Sequence, residues 1–469
     1  MKTQLWLIAG LLAALCIVPM MMREMSPDPD LVIAGRSEVV FWHFWGGEDR
    51  DVVEDIVARF NESQSEYFVR AVAMPGNNLQ AKLFLSVAGG DPPDLVNQDD
   101  PVLADWGERG VIHSMEEIAP VDEVHAVRDW MLDSARRLST YDGRMFGVCN
   151  GLDIRALYYN KSALDQIGME PPQTIDQLDA IANSIAPFDQ PLHSGKFGYL
   201  PDSRRLWAWG YVFGGTFFDS ASGNVTVNSP EIRNALRWMA SYARRYGPER
   251  IAAYRKMDQS LAGKTFPLLP VLDSELVGRY VLIMDGQWRV RNIKAFQSRR
   301  RKLGLTVPEF GVCPLPTPVS EENNFPRRNA GWVNGNFFVV PRGAKNAAGA
   351  WAFAKFWIGY QDPSQAARTC MEGGWIPVSD SVTQTDSFQN YLASSPMFRT
   401  FVELAASPNQ FPTPQVVGAA IFRRTVERAA YDAMTYVERP VDTILDDANR
   451  RIEEQLDRFD ESRLQHKGN

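Results

Sequence analysis

The chain has 469 residues, which at roughly 150 residues per domain predicts about three domains. Hydrophobic residues make up 45% of it and charged residues 23%, a balance that excludes wholesale disorder. Lys and Arg number 49 and Asp and Glu 57, and the resulting −8 argues against a general nucleic-acid binder, which needs positive surface to displace phosphate counterions.

The N-terminus reads Met1-Lys2, then an apolar run from Leu5 to Met22 closed by Arg23. One positive residue followed by such a run predicts export, with an uncleaved membrane anchor through residues 5–22 favoured over a cleaved signal or a lipid anchor on Cys16. No later apolar run approaches that length, so nothing downstream is expected to cross a bilayer. Residues 26–37 (SPDPDLVIAGRS) read as a tether.

Glu38 to Trp45 alternates as a strand and ends at Gly46-Gly47. Val52, Val53, Ile56, Val57 and Phe60 then follow at helical spacing. A strand at Tyr67 to Ala73, a helix around Leu79 to Ala88, and Asp94-Leu95-Val96 after Gly89-Gly90-Asp91-Pro92-Pro93 continue the pattern. This β-α-β-α-β order predicts an α/β fold with a largely parallel sheet.

Thr174 to Gln177 is a capping-box pattern opening a helix to about Ile185. Ser229-Pro230 opens another, whose stripe is Ile232, Leu236, Met239, Ala243 and Tyr246 and whose stop is Gly247. Val281 to Met284 reads as a short strand, and the basic Arg299-Arg300-Arg301-Lys302 as a solvated face. Three prolines between Cys313 and Pro318 make a stiff break. A strand at Asn336 to Val340, a helix from Ala347 to Gly359 and a largely helical remainder follow.

No catalytic signature emerges. There is no G-x-S-x-G elbow and no G-x-G-x-x-G turn, and Gly263-Lys264-Thr265 lacks the P-loop glycine because Asp258 stands in its place. The five histidines are scattered, and Cys149, Cys313 and Cys370 are too widely spaced for a metal finger, so neither a metal nor a cofactor is expected. No enzyme is predicted, although one sequence cannot identify a cleft pair of carboxylates among 57 acids.

The tryptophans carry the functional hint. Trp106, Trp130, Trp238, Trp351 and Trp357 fall in helical patterns and read as core. Trp42, Trp45, Trp207, Trp209, Trp288, Trp332 and Trp375 lie at strand ends or beside glycines, which predicts rings at a cleft lip. An indole suits the C–H face of a sugar, with carboxylates and amides serving its hydroxyl rim.

Several blocks in order resemble the extracellular solute-binding proteins of ABC importers, in particular the large sugar-binding family that includes maltose-binding protein. They are Val39 to Gly47, Gly89 to Val96, Gly143 to Val148 with Ala156 to Lys161, Ile283 to Trp288, and Gly331 through Pro341 with Gly374 to Val378. Cys149 replaces the family's usual proline. The resemblance implies a type II periplasmic-binding-protein fold, with two discontinuous α/β lobes, a hinge and an interlobe cleft. Lobe one is expected from 38–146 and 315–362, and lobe two from 147–314 and 363–469. By motif, the ligand contacts implied are Trp42, His43, Trp45, Gln98, Asp99, Asp100, Asp153, Arg155, Trp288, Trp332, Asn334 and Trp375. The implied function is capture of a sugar or oligosaccharide for a membrane permease, by a monomer. Two alternatives stay open: the same fold binding a non-sugar solute such as a polyamine or glycerol phosphate, for which Arg155 and Arg289 are the discriminators, or a glycan-processing enzyme.

Overall fold

The computed structural model describes residues 35–467 apart from 75, 100–101, 188–195, 261–265 and 319–327. The apolar run 5–22, most of the tether, Asp100 and Gly263-Lys264-Thr265 therefore lie outside the described residues.

Strands β1 (Ser37–His43), β2 (Tyr67–Ala73) and β3 (Leu95–Asp99) are joined by helices Glu48–Ser63 and Gly76–Ala88. Val39, Phe41 and His43 form the buried face of β1 at period two. Val53, Ile56, Val57 and Phe60 form the buried stripe of the first helix at helical spacing. β1 pairs in parallel with both β2 and β3. Asp94 pins the entrance to β3, since Oδ2 accepts from the Val40 N–H at 2.8 Å and Oδ1 from the Asn346 N–H at 2.7 Å.

The later strands are not parallel. β4 (Val148–Asn160), β5 (Leu282–Gly286), β6 (Phe310–Cys313), β7 (Gly331–Val339) and the short β8 (Gln410–Phe411) complete an eight-stranded sheet. β7 runs antiparallel to β3 and β4, and β5 and β6 run antiparallel to β4; only β8 restores a parallel pair, on β7. β7 arrives from far along the chain and enters between β3 and β4 in the reverse direction, so no crossover helix constrains its sense.

β4 organises the molecule. Residues 148–154 pair with β7, whereas 155–160 lie between β5 and β6. The buried hydrophobic residues form two clusters that meet on this strand: Ile154 and Ala156 belong to one, Leu157 to the other. β7 changes over in the same way between Val333 and Trp332.

The first cluster takes in β1 to β3 and helices Ala347–Ile358, Pro363–Gly373, Asp386–Ala393 and Pro396–Ala405. Residues 363–405, expected in the second lobe, contribute their buried side chains to this first cluster. The chain reverses at Gly359 in the left-handed region (φ 77°), which returns Ala366 and Cys370 to the preceding helix. Helices Ile175–Ile185, Leu206–Val212, Pro230–Tyr246, Ala419–Thr435 and Val441–Lys467 surround the second cluster. Both arms of the capping box at Thr174 and Gln177 form, and Ser229 Oγ caps its helix as the sequence predicts. One member of the basic run departs from expectation: Arg300 is 2% exposed and donates to the carbonyls of Thr306 and Asp273.

Candidate functional site

β1 and β3 end side by side. Trp42 pairs with Val96, so the next step sets His43 beside Asn97, while β7 brings Asn336 opposite Asp99 and Phe337 opposite Gln98. His43 and Asn97 are buried, yet His43 Nδ1 and both amide atoms of Asn97 have no hydrogen-bond partner among the described residues. The same holds for Asn150 Nδ2 on β4 and Asn334 Oδ1 on β7. Each such atom costs about 1–3 kcal/mol while it stays unmade, and these lie on four strands that neighbour one another in the sheet, in the order β4-β7-β3-β1. Burial, helped by the Arg50 charge and opposed by Glu54, lowers the His43 pKa to about 4, so the imidazole is neutral near pH 7.

Indoles stand next to His43 and Asn150. Trp45 stacks on Trp357 with ring centroids 5.5 Å apart and planes 10° apart, and Trp375 lies 5.3 Å from the first and 5.4 Å from the second. Trp357 Nε1 donates to the Asn150 carbonyl at 3.3 Å, and Trp375 packs along Gly151 where Leu152 bridges to Ile376. Trp45 and Trp375 keep a thin rim of exposure each. Trp42 is half-buried and, by the alternation of β1, on the face opposite His43.

The strand crossing adds a charged group. Asp153 on β4 sits opposite Asn334 on β7. Gln287, after β5, donates to Asp153 Oδ1 at 2.8 Å and to the Leu152 carbonyl at 3.1 Å, and accepts from the Ile154 N–H at 3.2 Å. Burial raises the Asp153 pKa, and Arg155 and the Gln287 hydrogen bond oppose it. The buried Arg155 guanidinium lies 4.7 Å from the Trp288 ring and 5.3 Å from the Trp332 ring. Trp332 Nε1 donates to Thr413 Oγ1 at 3.2 Å.

Eleven of the expected contact residues are described. His43, Gln98 and Asp99 fall at the strand ends, Trp45 and Trp375 in one indole cluster, and Asp153, Arg155, Trp288, Trp332 and Asn334 at the crossing, with Trp42 on β1. Trp207 and Trp209 do not sit at a lip. They lie fully buried in helix Leu206–Val212, because Trp-Ala-Trp-Gly forms a helical turn buried on every side rather than a strand end. Sequence reasoning missed Asn97, Asn150 and Gln287. Asn97 directly precedes the expected Gln98, and Gln287 belongs to the Ile283 to Trp288 block from which only the ring was taken.

Residues 55–395 match the family model described as bacterial extracellular solute-binding protein. The chain is 24% identical over 222 residues to the arabinooligosaccharide-binding protein of Halalkalibacterium halodurans, covering 44% of this chain and 46% of that protein. It therefore spans about half the length of that relative. The maltodextrin-binding protein MdxE of Bacillus subtilis is 22% identical over 417 residues, 84% of this chain and 88% of MdxE. Among solved structures, the cyclic alpha-maltosyl-1,6-maltose binding protein from Arthrobacter globiformis superposes with a TM-score of 0.68 at 22% identity, over 90% of this chain and 99% of that one. At that identity the likeness establishes the fold, a two-lobed type II periplasmic-binding-protein architecture.

Proposed function

The chain belongs to the bacterial extracellular solute-binding proteins, and from that premise we propose that it captures a sugar or oligosaccharide between its lobes and hands it to the permease of an ABC importer. The two buried clusters supply the lobes, one mainly from residues 39–156 with the returning segment 333–405, the other mainly from residues 157–251 and 422–452. β4 and β7 are the hinge that joins them. The single observation that carries the reading is the set of buried, unpaired polar atoms on His43, Asn97, Asn150 and Asn334, with the His43 ring 5.9 Å from that of Trp45 and Trp375 packed on Gly151 next to Asn150. A saccharide answers that arrangement: its hydroxyls serve the amides, imidazole and carboxylates, and its C–H faces lie on indole. Trp42, Gln98, Asp99, Asp100, Asp153, Trp288 and Trp332 complete the contact set.

Ligand that touches both lobes stabilises the closed arrangement, a population shift that a permease reads as loaded. Solute leaves unchanged, so no turnover is expected, and the protein acts as a monomer. Residues 5–22 hold it to the outer face of the membrane, which the intact mass of the native protein tests. The function is tested by tryptophan fluorescence and titration calorimetry against a glycan panel. Saturable quenching or enhancement with at least one oligosaccharide is expected, and flat responses to every saccharide would remove the assignment.

A further inference from the structure

β4 changes register once along β7. Cys149 stands opposite Phe337 and Gly151 opposite Asn336, so Asn150 between them has no partner on that strand. This is a β-bulge, one extra residue on one strand, and it reverses which side chains of the strand share a face. Phe338 opposes Val148, so ahead of the bulge the even-numbered residues of β4 lie on the Phe338 face. Asn334 shares that face of β7 and opposes Asp153, so beyond the bulge the odd-numbered residues lie there. Asn97, paired with Phe338 from the other side, belongs to the same face. The extra residue therefore brings Asn150 and Asp153 to one face, together with Asn97 and Asn334. In an unbroken ladder Asn150 and Asp153 would lie on opposite faces.

Other groups hold the bulge in place. The Asn150 carbonyl accepts from Trp357 Nε1 at 3.3 Å, the Cys149 N–H donates to Ser139 Oγ at 3.2 Å, and Trp375 packs along Gly151. An asparagine that served only to build the bulge would spend its amide on nearby backbone. Here Asn150 is 6% exposed, yet its Nδ2 has no hydrogen-bond partner among the described residues. A buried amide N–H2 in that state is stabilised by an incoming oxygen. Asn334 Oδ1, unpaired and buried on the same face, supplies an acceptor. Hydroxyl groups both accept and donate, so a saccharide can serve the two together.

We propose that Asn150 is a specificity-determining residue of the saccharide site, its amide N–H2 donating to the oxygen of one particular hydroxyl. This rests on the saccharide reading above and adds the group that reads one position of the sugar. The test is titration calorimetry of the full chain with maltotriose, mannotriose and arabinotriose, then with every monodeoxy derivative of the one bound most tightly. For one derivative, the wild type should bind about 5- to 150-fold more weakly than it binds the parent, the cost of leaving a buried donor without its partner. Asn150→Ala should bind the parent more weakly by a similar factor and show no further loss with that derivative. The other derivatives should lose the same factor in both proteins. Non-additivity at a single position marks a contact, whereas a structural role would weaken every sugar alike. Asn150→Gly removes the same amide at a position where a bulge accepts glycine, and replaces the alanine variant if that one does not fold. Equal losses in the two proteins for every derivative would overturn the proposal and leave the saccharide reading standing. So would a wild-type series in which no single hydroxyl matters, an outcome that needs no variant. No binding of any saccharide, in this set or in the wider glycan panel, would overturn both.

Discussion

Gln287 grips β4 on both sides of Asp153, donating to its carboxylate at 2.8 Å while accepting from the Ile154 N–H at 3.2 Å. The clamp fixes the strand at the point where it passes from one buried cluster to the other. Gln287→Leu keeps the bulk and removes both functions, leaving a buried N–H unpaired. The expected cost is about 1–3 kcal/mol, read as a lower urea midpoint with an unchanged slope. An unchanged midpoint would mean that the clamp adds nothing to stability.

His43 predicts an acid-side loss of stability. Its folded pKa, about 4, lies below the ordinary value of 6.5, so on acidification the unfolded chain takes up this proton first. The contribution is fully present above pH 6.5 and falls away as the pH drops from there toward 4. The loss is at most about 3 kcal/mol on the scale of 1.36 kcal/mol per pKa unit. His43→Gln should flatten this limb in pH-dependent unfolding. A variant that keeps the wild-type slope would assign the slope to other groups.

Glu117 acts at lower pH. Partial burial pushes its pKa up, but hydrogen bonds from Arg144 and His113 and the nearby charge of Arg342 outweigh that and bring it down to about 2. Its stabilisation is present above the ordinary value of 4.5 and is lost as the pH falls from there toward 2. Solvent reaches this cluster, so the effect should be modest and weaker at high salt. Glu117→Gln should lower the neutral-pH midpoint slightly and remove its dependence on pH over that window; a dependence that persists would exclude the cluster as its source.

The buried and half-buried tryptophans should separate cleanly. Trp209→Ala removes a fully buried ring that donates to Tyr199 Oη at 3.2 Å, at an expected cost of about 3–5 kcal/mol. Trp42→Ala should spare most of that stability and instead weaken saccharide binding and its fluorescence response. Equal ligand responses in the two variants would contradict the division.

The first three strands were legible because local pattern and tertiary need agree there: period-two alternation, glycine stops and helical stripes all have one solution. Thr174, Ser229 and Gly247 likewise announce helix ends through capping chemistry that acts within a few residues. β4 is not legible as a strand, although the block Ala156 to Lys161 overlaps its end. Its residues are buried almost throughout, so no alternation marks it. The antiparallel entry of β7 and the return of residues 363–405 depend on contacts hundreds of positions apart, which no local period encodes. The site divides the same way. Trp288 and Trp332 were visible as rings beside glycines, but that Arg155 lies against both was not, because the strand register that brings them together is non-local.

A strand woven into both ladders has no slack. If the halves swing, the motion is stored as bending and twist in two hydrogen-bonded ribbons, β4 and β7, instead of being spent in a loose connector. The restoring force then grows with the angle, as in a leaf spring. Recoil after release of the solute would then come from the backbone of these two strands.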